Sequence, residues 1–188
     1  MLFSSLQKEE IAIDCGANVG ENTRKMAKNG ATVYAFEPNP FAFGVLERNF
    51  KKWPNVICIN KGIWISEGKM RLYFHENSDQ NEIKWSSGSS LLANKCNVNL
   101  NKYLEVEVIN FNEFIRSMTG RIRVIKIDIE GAEGEILRQI IAQKLYIKVD
   151  AIIVETHDHK IPELKESMAE IRREIANRNI ENIHLDWI

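Results

Sequence analysis

Ile11-Ala12-Ile13-Asp14-Cys15-Gly16-Ala17-Asn18-Val19-Gly20 opens as a short apolar run and ends in a glycine-punctuated turn. The run has the length and composition of a buried strand. Gly16 permits a sharp turn, and Gly20 stands where a helix opens. That helix is expected over residues 22 to 29, with Asn22 or Thr23 near its N-cap and Gly30 just past its end. The pattern then repeats. Ala31 to Phe36 is a second apolar run, closed by Glu37-Pro38-Asn39-Pro40, and a second helix is expected from Pro40 to Phe50. Val56 to Ile59 is a third strand. Strand, helix, strand, helix, strand implies right-handed crossovers and a parallel sheet.

The middle of the chain breaks this rhythm. Lys69 to Phe74 has the character of one arm of a hairpin entered through Glu67-Gly68. Residues 75 to 101 are polar, rich in Asn and Ser, and without periodicity. A loop of that length is usually functional, so the segment is expected to be a lid or insertion. Leu104 to Asn110 alternates as a strand does. The α/β pattern then returns, with a strand from Val124 to Ile129 and a helix over residues 133 to 145. Another strand, Val149 to Glu155, is apolar on both faces. An amphipathic helix spans residues 162 to 178, and a last strand is expected from Ile183 to Ile188. The fold class is therefore α/β, a doubly wound and mostly parallel sheet with an irregular or hairpin insertion after the third strand. With no repeat and no linker, residues 1 to 188 are expected to form one domain.

The formal net charge is −1, with 44% hydrophobic and 27% charged residues. A broad nucleic-acid footprint needs a surplus of Lys and Arg, so this balance argues against one. The groups Lys51, Lys52, Lys61 and Arg116, Arg121, Arg123 are expected to be solvated surface. The three cysteines, Cys15, Cys58 and Cys96, include no CxxC and are expected to be reduced thiols in a cytoplasmic protein. No apolar run approaches the length of a membrane span. Met1 to Glu10 lacks the order of a signal peptide, and the first strand begins almost at once, so little N-terminal extension is expected.

Four constellations can carry chemistry. The Asp14–Gly20 turn brings backbone N–H groups to a helix start, which favours a carboxylate or phosphate; a ligand-free βα connection is the structural alternative. Glu37 ends the second strand, where a carboxylate can accept hydrogen bonds from both hydroxyls of a ribose. A dinucleotide fingerprint wants glycines at 16, 18 and 21, but the chain has Gly16, Asn18 and Glu21. A side chain and a negative charge beside a pyrophosphate both disfavour NAD, and no P-loop signature is present. A nucleoside with an amino-acid tail fits better. Third, Lys126-Ile-Asp128-Ile-Glu130-Gly-Ala-Glu133 places Lys126, Asp128 and Glu130 on one face at a strand's carboxyl end. Glu133 and Glu135 read as acids suited to a helix dipole. Fourth, Glu155-Thr-His157-Asp158-His159 follows another buried strand. His157 can take a proton near neutral pH or cap the next helix. His157, Asp158 and His159 lack the regular spacing of zinc motifs.

Three of these motifs, Asp14-Cys-Gly-Ala-Asn-Val-Gly20, Tyr34-Ala-Phe-Glu-Pro38 and Lys126-Ile-Asp-Ile-Glu-Gly-Ala-Glu133, resemble in their order the FkbM family of class I S-adenosylmethionine methyltransferases. The resemblance covers residues 11 to 157. It implies a Rossmann-like fold, S-adenosylmethionine as cofactor with S-adenosylhomocysteine as product, and O-methylation of sugars or natural-product-type small molecules. It implies that Asp14, Gly16, Asn18 and Gly20 hold the methionine portion, and that Glu37, with Pro38, holds the ribose. Asp128 and Glu130 would border the cofactor amine and the acceptor. Asn60 and Ile63 would contact the adenine, and Ser89 and Ser90 match the family's serine-containing segment. The chain departs from the class by ending soon after one candidate strand, where an antiparallel pair is usual. Cover for the acceptor is then expected from residues 75 to 101 or from a second subunit of a homodimer.

The expected reaction is in-line displacement at a sulfonium methyl by an alcohol oxygen, with His157 or Asp128 as base and Glu155 beside them. Two alternatives stand next to it. One is a divalent-metal-dependent catechol-type methyltransferase with Asp128, Glu155 and His157 near the ion. The other is a cofactor-binding module without activity.

Overall fold

The computed structural model describes every residue except 1, 94, 96, 159, 160, 186 and 188. A 3-10 turn, Leu2–Ser5, precedes β1 (Ile11–Cys15), α1 (Glu21–Ala27), β2 (Thr32–Phe36), α2 (Pro40–Phe50) and β3 (Val56–Ile59). Then come β4 (Gly62–Trp64), β5 (Gly68–His75), β6 (Val98–Asn110) and α3 (Phe111–Ser117). The second α/β half comprises β7 (Ile122–Ile127), α4 (Glu133–Ala142), β8 (Val149–Val154), α5 (Lys165–Asn177) and β9 (Ile183–His184).

The main sheet has six strands in the order β3-β2-β1-β7-β8-β9. All its pairings are parallel, as the alternating pattern requires. The strand order turns back between β1 and β7, and ligands bind outside the carboxyl ends of strands at such a switch point. Apolar side chains cover both faces. On one, Ile13, Ile125 and Ile152 pack under α3, α4 and α5 through Ile115, Ile136, Leu137 and Met168. On the other, Ala12, Val33 and Val124 meet Phe3, Leu6, Met26 and Ala27. Leu46 and Phe50 of α2 extend that layer over Ala35. The long β6 turns away to join β4 and β5 in a second, three-stranded sheet.

Several boundaries differ from the expected ones. The strand expected at 104 begins at Val98 and pairs antiparallel with β5, so the hairpin includes the end of the polar segment. Its periodicity is masked because Asn99, Asn101 and Lys102 put polar side chains on a solvated ribbon. β4 is too short to leave a pattern. Helix 133 to 145 ends at Ala142, and Leu145 falls in a 3-10 turn. β7 stops at Ile127, so Asp128 and Glu130 lie just past the strand rather than on its alternating face. Glu130 is in the left-handed region at φ 60°. The last strand comprises Ile183–His184, parallel to β8; Asp186 and Ile188 lie outside the described residues, as do Cys96 and His159. No helix among the described residues is long and apolar enough to cross a membrane.

Candidate active site

The carboxyl ends of β2, β1 and β7 lie side by side, and each carries one of the three motifs. At the end of β1, the N–H groups of Gly16 and Ala17 both donate to Phe36 O, folding the turn over β2. Gly16 has φ +76°, and a Cβ there would stand 1.8 Å from Asp128 O, so the turn also presses against the end of β7. Only glycine accommodates both demands. Gly20 is required for a different reason than expected. It caps α1 in the left-handed conformation without a side-chain bond. Its Cβ would meet Phe50 at 2.2 Å, so helix packing demands the glycine rather than ligand approach. Neither Asn22 nor Thr23 caps this helix; Thr23 Oγ1 donates instead to Asp14 Oδ2 at 2.7 Å.

Asp14 is fully buried behind the turn and does not line the cleft. The sheet register pairs it with Lys126. Lys126 Nζ lies 3.3 Å from Asp14 Oδ1 and 3.2 Å from Asp128 Oδ2, and donates to Gly16 O at 2.8 Å. Burial alone would lower the pKa of this lysine, but the charges of Asp14 and Asp128 outweigh it and raise the value. The Asp14–Lys126–Asp128 array thus braces the glycine turn against β7 from below. Asp128 itself reaches the cleft.

Glu37 ends β2 in a buried position. Asn18 N donates to its Oε2 and Asn39 N to its Oε1, both at 2.8 Å. Burial pushes its pKa up to about 7, against the pull of those two amides and of Lys126. Asn60, expected near the adenine, uses its amide to hold the carbonyls of Glu37 and Pro38 at 2.8 and 3.3 Å. It faces a separate groove and braces the acid rather than lining the cleft.

The cleft holds about 620 Å³ of atom-free space including its open mouth. Gly16, Asn18, Glu37, Pro38, Ile63, Ser89, Asp128 and Glu130 line it. Ser90 stands behind the wall, donating to Glu130 O at 2.7 Å. The lining also includes Phe36, Lys61, Leu72, Ser86, Ser87, Leu91 and Ile129, which the motifs missed. Of these Phe36 and Ile129 stand inside motif runs; the rest come from the insertion and its hairpin, or from the segment just after β3. Among the basic residues expected at the surface, Lys61 pairs with Glu107, and Arg121 and Arg123 pair with Asp150.

His157 follows β8, and its side chain is fully buried. Nδ1 is 2.9 Å from Glu133 Oε1, and Nε2 lies 3.3, 3.7 and 3.9 Å from Glu130, Glu155 and Asp128. Burial lowers its pKa, but the Glu133 hydrogen bond and the charges of Glu133, Glu130 and Asp128 raise it above the ordinary value. Glu133 is therefore more than an acid at a helix start. Its carboxylate also accepts from Ile129 N and Gly131 N, which holds the left-handed Glu130–Gly131 turn. Glu135 pairs with Arg138 on the surface. Donor atoms of Asp128, Glu130 and His157 lie within 4.8 Å of one another, close enough to share a cation. Lys126 and Lys95 already occupy that role on Asp128 and Glu130, at 3.2 and 2.6 Å.

A parallel sheet of this order, with a glycine turn, a buried acid after β2 and an acidic β7 end around one cleft, defines a Rossmann-like class I methyltransferase fold. The family model for the methyltransferase FkbM domain matches residues 14–181, and the chain belongs to that family. It is 26% identical over 160 residues to a hexuronic acid methyltransferase, AglP, of Haloferax volcanii, covering 84% of this chain and 60% of that one. It is 24% identical over 166 residues to methyltransferase 1 of Beauveria bassiana, covering 81% and 66%. The chain thus spans about 60–66% of the length of these curated relatives. A crystal structure of an FkbM methyltransferase from Methylobacillus flagellatus superposes with TM-score 0.50 at 15% identity, covering 91% of this chain and 41% of that one.

Proposed function

We propose that this chain is an S-adenosylmethionine-dependent O-methyltransferase acting on a hydroxyl of a small molecule, of sugar or natural-product type. One observation carries the reading: a single cleft runs across the ends of β2, β1 and β7 with a buried acid at one end and two carboxylates at the other. Glu37 suits a ribose. Two strand spacings away, a distance of roughly 10 Å, Asp128 and Glu130 suit a positively charged tail. Family membership supports the cofactor. The hexuronic acid methyltransferase activity of the Haloferax relative supports a sugar-type acceptor.

When bound, S-adenosylmethionine supplies an electrophilic methyl group on positively charged sulfur. The chain's own residues do the rest by alignment and charge. Gly16 and Asn18 bring the β1 turn against the ligand, and Glu37 holds two hydroxyls. Asp128 would take the proton of an acceptor hydroxyl placed beside it, with Lys126 steadying its other oxygen. His157, held toward its protonated form by the surrounding carboxylates, orients Asp128, Glu130 and Glu155 rather than acting as the resting base.

The test is calorimetric titration with S-adenosylmethionine, S-adenosylhomocysteine and NAD. Saturable binding of the two adenosyl ligands and not NAD is expected, followed by methyl transfer to hydroxyls in an acceptor screen. Binding of NAD alone overturns the reading.

A further inference from the structure

The insertion contacts the first and third motifs of the cleft and Asn39, the residue just past the second. Asn18 Nδ2 donates to Ser86 Oγ at 3.0 Å, Asn39 Nδ2 to Ser89 Oγ at 3.4 Å, and Ser90 Oγ to Glu130 O at 2.7 Å. It has packing of its own, with Trp85 stacked on His75 at 4.5 Å and Gly88 set against the same ring. Lys95 makes the strongest tie. Its side chain is 2% exposed, and Nζ reaches Glu130 Oε2 at 2.6 Å and Gly88 O at 2.8 Å.

We propose that Lys95 is a positioning residue that holds the insertion over the cleft through Glu130 and competes there with the cofactor's positive charge. The inference rests on the adenosylmethionine reading above. A buried ammonium needs a partner carboxylate, and Lys95 has Glu130 only while the insertion lies on the sheet edge. Lifting the insertion exposes both groups to water, so the pair acts as a latch. Glu130 also lies at the β7 end of the cleft, where the tail of a ligand anchored at Glu37 must fall. Asp128, Glu155 and His157 face the same spot, with Lys126 behind Asp128. Lys95, His157 at 3.3 Å and the ligand's cationic tail would therefore all address one carboxylate, and like charges oppose each other more strongly in a partly dry cleft than in water. Both adenosyl ligands carry the tail ammonium; S-adenosylmethionine adds a sulfonium charge, whereas S-adenosylhomocysteine is a neutral thioether at that atom and is opposed less. Lys95 should thus weaken the substrate cofactor relative to its product.

The test compares wild type with Lys95→Met and Lys95→Arg. Hydrogen–deuterium exchange of the ligand-free proteins reads the latch, and calorimetric Kd values for the two adenosyl ligands read the competition. Lys95→Met should speed exchange across residues 76–93 about tenfold while β1 and β7 keep their protection. It should also shift the Kd ratio about tenfold toward S-adenosylmethionine, and Lys95→Arg should restore both readouts. Lys95→Gln, which removes the charge but keeps donors, replaces Lys95→Met if that variant does not fold. An unchanged exchange rate or an unchanged ratio in the neutral variant overturns the proposal. If wild type binds neither adenosyl ligand, the cofactor reading fails and takes the competition with it. The exchange experiment still judges the latch.

Discussion

His157 Nδ1 and Glu133 Oε1 lie 2.9 Å apart, joining the loop after β8 to the first turn of α4 and to the Glu130–Gly131 turn that Glu133 also holds. The raised pKa of His157 has a defined consequence for folding. Its contribution to stability is fully present below the unfolded value near 6.5 and is lost as pH rises through the higher folded value. Glu133→Gln should lower the imidazole titration midpoint seen by NMR. It should also cost ~1–3 kcal/mol of stability at pH 6, and flatten the decline above that pH. An unmoved midpoint would show that Glu133 does not support the imidazolium.

Glu37 gives a second pH dependence. Its folded pKa of about 7 lies above the ordinary 4.5, so the ligand-free protein has this stability below pH 4.5 and loses it as pH rises through about 7. The full loss is on the order of 3 kcal/mol. Ribose hydroxyls donate to the ionised form. S-adenosylmethionine should therefore bind more tightly as pH rises toward 7 and release a proton on binding. Calorimetry in buffers of different ionisation enthalpy measures that proton, and Glu37→Gln should abolish it together with most of the affinity.

Gly16→Ala and Gly44→Ala should act in opposite directions. At Gly16 the new methyl enters the Asp128 carbonyl and the backbone is left-handed, so the conformational term alone costs roughly 1–2 kcal/mol and cofactor binding should fail. Gly44 lies inside α2, where a Cβ meets nothing closer than 3.7 Å, and alanine there should add roughly 0.5–1 kcal/mol. Denaturant unfolding of both variants checks the pair. A stable, cofactor-binding Gly16→Ala protein would contradict the close approach of β1 and β7.

A divalent ion at Asp128, Glu130 and His157 would have to displace Lys126 and Lys95 from two carboxylates. Mg²⁺ and Mn²⁺ should therefore leave the melting temperature unchanged, and a chelator should leave cofactor affinity unchanged. A saturable thermal shift with either ion would favour the metal-dependent alternative.

The motifs reveal the residues that line the cleft better than those that hold the lining in place. Asp14 and Gly20 stand in the most informative turn, yet one is a buried strut and the other a packing glycine. Asn60 lies one residue past β3 and serves the backbone of Glu37 and Pro38. Local spacing shows that a polar group lies near a strand end. Its direction depends on partners far along the chain, as Lys126 shows by reaching Gly16 O.

The sequence by itself determined the parallel α/β architecture, the single cleft-facing edge and the three motifs along it. Those features follow from local period, turn chemistry and strand length, all of which are written in neighbouring residues. Only the tertiary structure decided that Glu133 and His157 form a pair, that Lys126 ties two strands, and that Lys95 closes the polar segment onto Glu130. Each joins residues well apart in the chain, and side-chain charge alone does not name its partner. Burial does, because an ion removed from water takes the opposite charge that the fold brings within reach.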